Sequence, residues 1–190
     1  MKFSAPTLPL DFLARWRRSV PENTCVPTGF FPTYLFDPSH TGINQVWNII
    51  SDVGGVYKYH PLVDKSPQLS KNASGIGSKR RCEFYDGSSV VEEVVGQKEG
   101  EELNIILSEF SLPFKSMEAT MKLKKASDIS TYVTIQVSFD MKYGVFGKFL
   151  GFFMIRPIMK MTFSKVLKGL NDHATTGQLV GKKGALLQPA

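Results

Sequence analysis

Residues 130–173, STYVTIQVSFDMKYGVFGKFLGFFMIRPIMKMTFSKVLKGLNDH, change character at Gly144. Before it, Val133, Ile135, Val137, Phe139 and Met141 alternate with polar residues, the period of a strand with one buried face. After it, the apolar positions fit a helix, with Phe146, Leu150, Phe153 and Met161 on one side and Phe152, Ile155, Met159, Phe163, Val166 and Leu170 on the adjacent side. An apolar arc wider than about 100° is more than a helix resting on a flat surface can bury, so the pattern predicts a helix gripped by a concave partner. Pro157 lacks a backbone donor and predicts a kink or a break inside that helix.

The chain upstream supplies the concave partner. FFPTYLF is aromatic and β-prone, and Ile43, Val46, Trp47 and Ile50 recur at helical spacing until Gly54-Gly55, ahead of an aromatic turn ending at Pro61. Residues 66–141 then read as strand after strand. Leu103, Ile105 and Leu107 alternate, as do Met117, Ala119, Met121 and Leu123, so each strand has one apolar face, as an antiparallel sheet covered on one side requires. Asp86-Gly87 between β-prone runs signals a two-residue hairpin turn. That turn pairs Tyr85 with Ser88, sets Arg80 opposite Glu93 and Arg81 opposite Glu92, and puts Arg80 and Glu93 on the apolar face with Cys82, Phe84, Val91 and Val95. A one-residue slip would put Arg81 and Glu92 there instead.

The 190 residues suffice for one domain with a sizeable core, and 42 % hydrophobic and 21 % charged residues exclude a disordered or fibrous chain. The net charge of +6 is spread along the chain, apart from Arg15, Arg17, Arg18 and Lys79, Arg80, Arg81, and no nucleic-acid-binding signature accompanies it. Nucleic acid is therefore not an expected partner. Cys25 and Cys82 have no metal-ligand spacing, and the proline-interrupted N-terminal segment lacks the apolar core of a signal peptide, so a reducing, cytoplasmic setting is expected. Residues 1–30, with one short amphipathic helix over 11–20, read as an extension, residues 31–176 as the folded domain, and residues 177–190 as a flexible tail.

Strand, helix, about six antiparallel strands and a long closing helix, together with VWNIISDVGGVYKYHPLV and IGSKRRCEFYDGSSVVEEVV, resemble the START-like (SRPBCC) helix-grip superfamily, and within it the polyketide cyclase/dehydrase-type group, over residues 31–176. The resemblance implies an α+β helix-grip fold: a curved antiparallel sheet wrapped around a long C-terminal helix, with short helices after the first strand. It also implies an apolar cavity between sheet and helix. Phe84, Leu107, Met121, Ile135, Phe139, Phe153 and Met161, each assigned to an inward face, would line that cavity, with a mouth at residues 57–62 and 111–114.

Function then follows from the polar inventory. Binding or carriage of a small lipid-like or aromatic molecule is the first reading, with Arg80 and Glu93 as a polar anchor or simply as a cross-strand ion pair. The alternative is an enzyme of the cyclase or dehydratase type, in which Arg80, Glu93, Tyr59 or His60 would supply acid and base groups; His60 would otherwise shape its turn. His40, His60 and His173 are too dispersed for a metal site, and no nucleophile elbow or phosphate loop implies a cofactor. FGKFLGFFMIRPIMKM suits a core helix and is also compatible with transient contact at a membrane surface. The oligomeric state stays open.

Overall fold

In the computed structural model, residues 41–111, 114–142 and 151–188 and the backbone of residues 33–35 are described. The expected extension 1–30 with its helix, Leu112 and Pro113 of the expected mouth, and Gly144, Phe146 and Leu150 lie outside the described residues.

The period-two text becomes a seven-stranded antiparallel sheet. Its strands are β1 (Thr33–Leu35), β2 (Val63–Lys65), β3 (Lys79–Phe84), β4 (Ser89–Lys98), β5 (Glu102–Ser108), β6 (Phe114–Ser127) and β7 (Ser130–Met141). They lie in the order β1-β7-β6-β5-β4-β3-β2, so β3 to β7 form a meander with β1 and β2 at the edges. Register keeps the apolar residues together: Met121 faces Ile135 and Met117 faces Phe139 across β6 and β7, and all four are buried. Irregular pairing in β4 and at both ends of β6 bends the sheet into the shape a helix can occupy.

Helix α1 (Ile43–Ser51) buries Val46, Trp47 and Ile50, the residues its spacing singles out. It ends before Gly54-Gly55, which lie inside a following 3₁₀ turn, Val53–Lys58. The chain then closes with α2 (Arg156–Thr176), entered through a π-turn, Gly151–Ile155. Pro157 sits in the first turn of α2, where a missing donor costs nothing, and the break it predicts is the π-turn just before it. The sheet, α1 and the long closing helix together make the α+β helix-grip fold.

Two expectations change. Phe153 and Met161, assigned to the inward face, are 59 % and 54 % exposed, whereas Val166, Leu167, Leu170 and Ala174 are buried and Ile155, Met159 and Phe163 pack partly buried against the core. The tail is also more ordered than its lack of periodicity suggests. Strands β8 (Leu179–Val180) and β9 (Leu186–Leu187) pair as a hairpin, Val180 is buried, and the Lys183 N–H donates to the Pro61 carbonyl at 3.2 Å.

Candidate functional site

The hairpin that presents Arg80 is built differently from a two-residue turn. Gly87 N–H donates to the Phe84 carbonyl at 3.0 Å, Phe84 N–H donates to the Ser88 carbonyl at 2.9 Å, and Gly87 adopts φ 84°, a left-handed value that favours glycine. This is a three-residue loop with a left-handed third position. Asp86 Oδ1 secures it by accepting from Ser88 N–H at 2.9 Å and Ser88 Oγ at 2.6 Å. One more loop residue shifts the register by one, so Arg80 faces Glu92, Lys79 faces Glu93 and Cys82 faces Val90.

The expected Arg80–Glu93 pair is therefore replaced. Glu93 lies on the opposite face and pairs with Lys79 Nζ at 2.9 Å, both side chains well exposed, and Arg81 reaches Glu109 at 2.6 Å on the outside. Arg80, only 5 % exposed, donates from Nε to Glu92 Oε2 at 2.6 Å and from Nη1 to the Val53 carbonyl at 2.7 Å, while Nη2 contacts the same carboxylate. Cys82, Val90 and Val94 share its buried face, in place of the expected Val91 and Val95.

Around this guanidinium, Ile50 and Val53 from the α1 side and Val94, Leu103 and Ile105 from the sheet leave a crevice too tight for a water molecule. Arg80 is thus a tie between the sheet and the backbone after α1. Burial works against its charge, but Glu92, Cys82 and Tyr59 outweigh that effect and hold its proton more tightly than usual. Burial, reinforced by Glu92, pushes the Cys82 thiol up, away from the reactive thiolate.

Tyr59 and His60 sit in the turn that abuts this tie. Burial pushes the Tyr59 hydroxyl up to about 12, against the pull of Arg80. Burial also lowers His60 to about 4, against the pull of Glu92; its ring stands 6.1 Å from that of Phe84, and its Nδ1 accepts the Leu62 N–H at 3.2 Å. His60 is a neutral, turn-shaping residue at neutral pH.

A pH dependence follows. In the unfolded chain His60 takes up its proton near 6.5 and in the fold only near 4, so between those values the unfolded state binds more protons. Stability should fall as pH drops through that window, by on the order of 2 kcal/mol, less than the full shift implies because the ring keeps some contact with water. Urea unfolding of the protein and of His60→Gln at about pH 7 and about pH 4.5 checks this. A variant that loses as much stability as the parent would acquit His60.

A second feature lies deeper in the grip. Phe114, Met117, Met121, Ile135, Phe139 and Met141 are buried on the concave face, with the Phe114 ring tilted against that of Phe110 (5.4 Å) and edge-on to that of Phe139 (5.6 Å). Ile155, Met159 and Phe163 of the closing helix, and Leu107 and Phe84 of the sheet, pack partly buried against the same core. The sequence reading omitted Met117, Met141, Met159 and Phe163 from the site, although they carry the same period-two and helical signals as the residues it named. Among the described residues no cluster of His, Cys, Asp and Glu could hold a metal ion, and no described helix is long and apolar enough to cross a membrane.

Solved structures share this architecture. A START superfamily protein from Mycobacterium smegmatis superposes with a TM-score of 0.63 at 14 % identity, covering 78 % of this chain and 97 % of that one. The Zhui aromatase/cyclase from Streptomyces sp. R1128 does so with a TM-score of 0.65 at 12 % identity, covering 77 % and 93 %. At such identities the likeness establishes the fold alone. No curated protein matches the chain. A family model, however, matches residues 40–175, from just before α1 to the end of the closing helix, and on that match the chain belongs to the family described as polyketide cyclase/dehydrase and lipid transport.

Proposed function

We propose that the protein binds and carries a small hydrophobic molecule, lipid-like or aromatic, in the seam between the concave sheet face and the N-terminal half of α2. The observation that carries this reading is the make-up of that seam. Four of the chain's seven methionines, Met117, Met121, Met141 and Met159, meet across the seam beside Phe114 and Phe139. Unbranched thioethers repack at little cost, so a methionine-rich seam can open around an apolar guest where a core of branched side chains would resist.

The family's cyclase members make catalysis the rival reading, and the titratable groups favour carriage. A general acid or base works best with a proton affinity near the working pH. Tyr59 at about 12 and His60 at about 4 are displaced from neutrality in opposite directions, and the Arg80 fork is already committed to Glu92 and Val53. Cys82 is a free buried thiol, which suits a reducing compartment such as the cytoplasm.

Native mass spectrometry of the purified protein and displacement of a fluorescent fatty acid test the proposal. Met159→Glu puts a charge into the partly buried side of the seam without emptying the core. It should weaken binding at least about tenfold and lower the melting temperature by the cost of holding a carboxylate against the seam, with a single cooperative transition retained. Unaltered affinity in that variant, or a wild-type protein that takes up no apolar probe, would remove the seam from consideration.

A further inference from the structure

The outer side of α2 carries a line of residues that the grip does not use. Ile158 and Met161, three residues apart on α2, are 50 % and 54 % exposed, and Met154, in the π-turn that leads into the helix, is 56 % exposed. Along the same line the next two positions, Lys165 and Lys168, are exposed and basic. One helix face therefore runs from apolar to cationic.

The cationic end opens onto a surface pocket of about 260 Å³ lined by Pro61, Gly169, Lys165, Lys168, Asp172 and Lys183. Lys183 arrives from the folded-back tail in a left-handed conformation, φ 62° and ψ 15°, which a side-chain-bearing residue enters at a cost. Its N–H bond to the Pro61 carbonyl helps to hold it there. Lys168 Nζ is engaged by Asp172 at 2.6 Å, whereas among the described residues no carboxylate pairs with Lys165 or Lys183. Three lysines against one carboxylate leave the pocket with a net charge of +2.

We propose that this line is a docking surface for an anionic phospholipid membrane. Met154, Ile158 and Met161 enter the boundary between headgroups and acyl chains, and the lysine pocket receives a headgroup phosphate. The arrangement has the layout of an interfacial helix, apolar residues for burial and lysines for the anionic surface. Complementarity of charge selects this occupant: an apolar stripe alone could meet any apolar surface, but one that ends in a cationic pocket matches a surface whose apolar layer lies under a sheet of negative charge. The docking does not depend on what the interior holds, and it would bring the N-terminal half of α2 to the bilayer.

The test uses the full chain with vesicles of phosphatidylcholine alone and of phosphatidylcholine mixed with phosphatidylserine, read by co-sedimentation. Binding should require the anionic lipid and weaken as salt is added. Lys165→Gln with Lys183→Gln should lower partitioning about twenty-five-fold, roughly fivefold for each lysine removed from the surface. Met154→Ser with Ile158→Ser should lower it separately. All four side chains are exposed, so melting temperature and uptake of a fluorescent fatty acid should stay unchanged in both variants.

Equal binding to the two kinds of vesicle, or variants that bind as the parent does, would overturn the proposal. Inorganic phosphate that perturbs the Lys183 amide resonance in a chain that ignores vesicles would replace the membrane with a free anion. Self-association by sedimentation velocity that the serine variant abolishes, without vesicle binding, would instead assign the stripe to a second copy of the chain.

Discussion

Arg80→Met is expected to cost about 4 kcal/mol, whereas Arg80→Met combined with Glu92→Leu should cost only about 2 kcal/mol. The inequality follows from what each change leaves behind. Removing the guanidinium alone strands the partly buried Glu92 carboxylate beside Val94 and Leu103 and deprives the Val53 carbonyl of its donor. Removing both charges relieves the first defect and leaves the second, a buried carbonyl that keeps its bond within the 3₁₀ turn but loses its side-chain donor, at a cost of about 1–3 kcal/mol. Glu92→Leu alone should be as harmful as Arg80→Met, because a guanidinium 5 % exposed would keep its charge without its counterion. Urea unfolding of the four proteins of the cycle measures the coupling directly. Small, additive losses would mean that water reaches the pair and that Arg80 does not tie the sheet to the turn after α1. The same cycle read with a fluorescent fatty acid separates a structural role from an anchoring one: a tie that never touches ligand should leave the affinity of the folded double variant unchanged.

That pair also shows where the sequence stops being legible. The strands, their apolar faces, α1 and the gripped helix are readable because burial imposes a period on the text: Met117 to Leu123 and Val133 to Met141 could hardly serve anything but two half-buried strands. The hairpin register is not readable in this way. Asp-Gly suits both a two-residue turn and a three-residue loop with glycine in the left-handed position, and the choice moves every partner of Arg80 by one residue. The face of the closing helix escapes for a related reason. Phe153 and Met161 fall on one stripe and Ile155, Met159 and Phe163 on another, both apolar, and the helix alone cannot say which the sheet will take. The π-turn at Gly151–Ile155 adds a further rotation, because a wider turn swings the residues ahead of Pro157 away from their ideal α-helical positions. Strands as short as β8 and β9 carry too few residues for any period to appear.

Gly169→Ala should destabilise the protein by about 2–3 kcal/mol, the reverse of what this change does in an exposed helix, where alanine gains about 1 kcal/mol over glycine. Gly169 is buried between Leu167 and Leu170, and a Cβ there would run into the backbone carbonyl oxygen of Tyr59 and stand 3.3 Å from Val180 Cγ1. A flexible side chain could swing aside, but a carbonyl fixed within its turn can yield only if α2 lifts or the turn shifts. The residue therefore lets α2 lie directly on the backbone of the turn at Tyr59, with the tail strand β8 closing the other side. The C-terminal half of the helix is held at this contact and by Leu167, Leu170 and Ala174, all buried. Its N-terminal half, where Ile155, Met159 and Phe163 are only partly buried, is left as the half that can move to admit a guest. Thermal and urea unfolding of Gly169→Ala supply the sign. A gain in stability would mean that the helix stands off the turn and that both of its halves are equally free. A loss, accompanied by altered uptake of a fluorescent fatty acid, would tie the geometry of the seam to this one close approach.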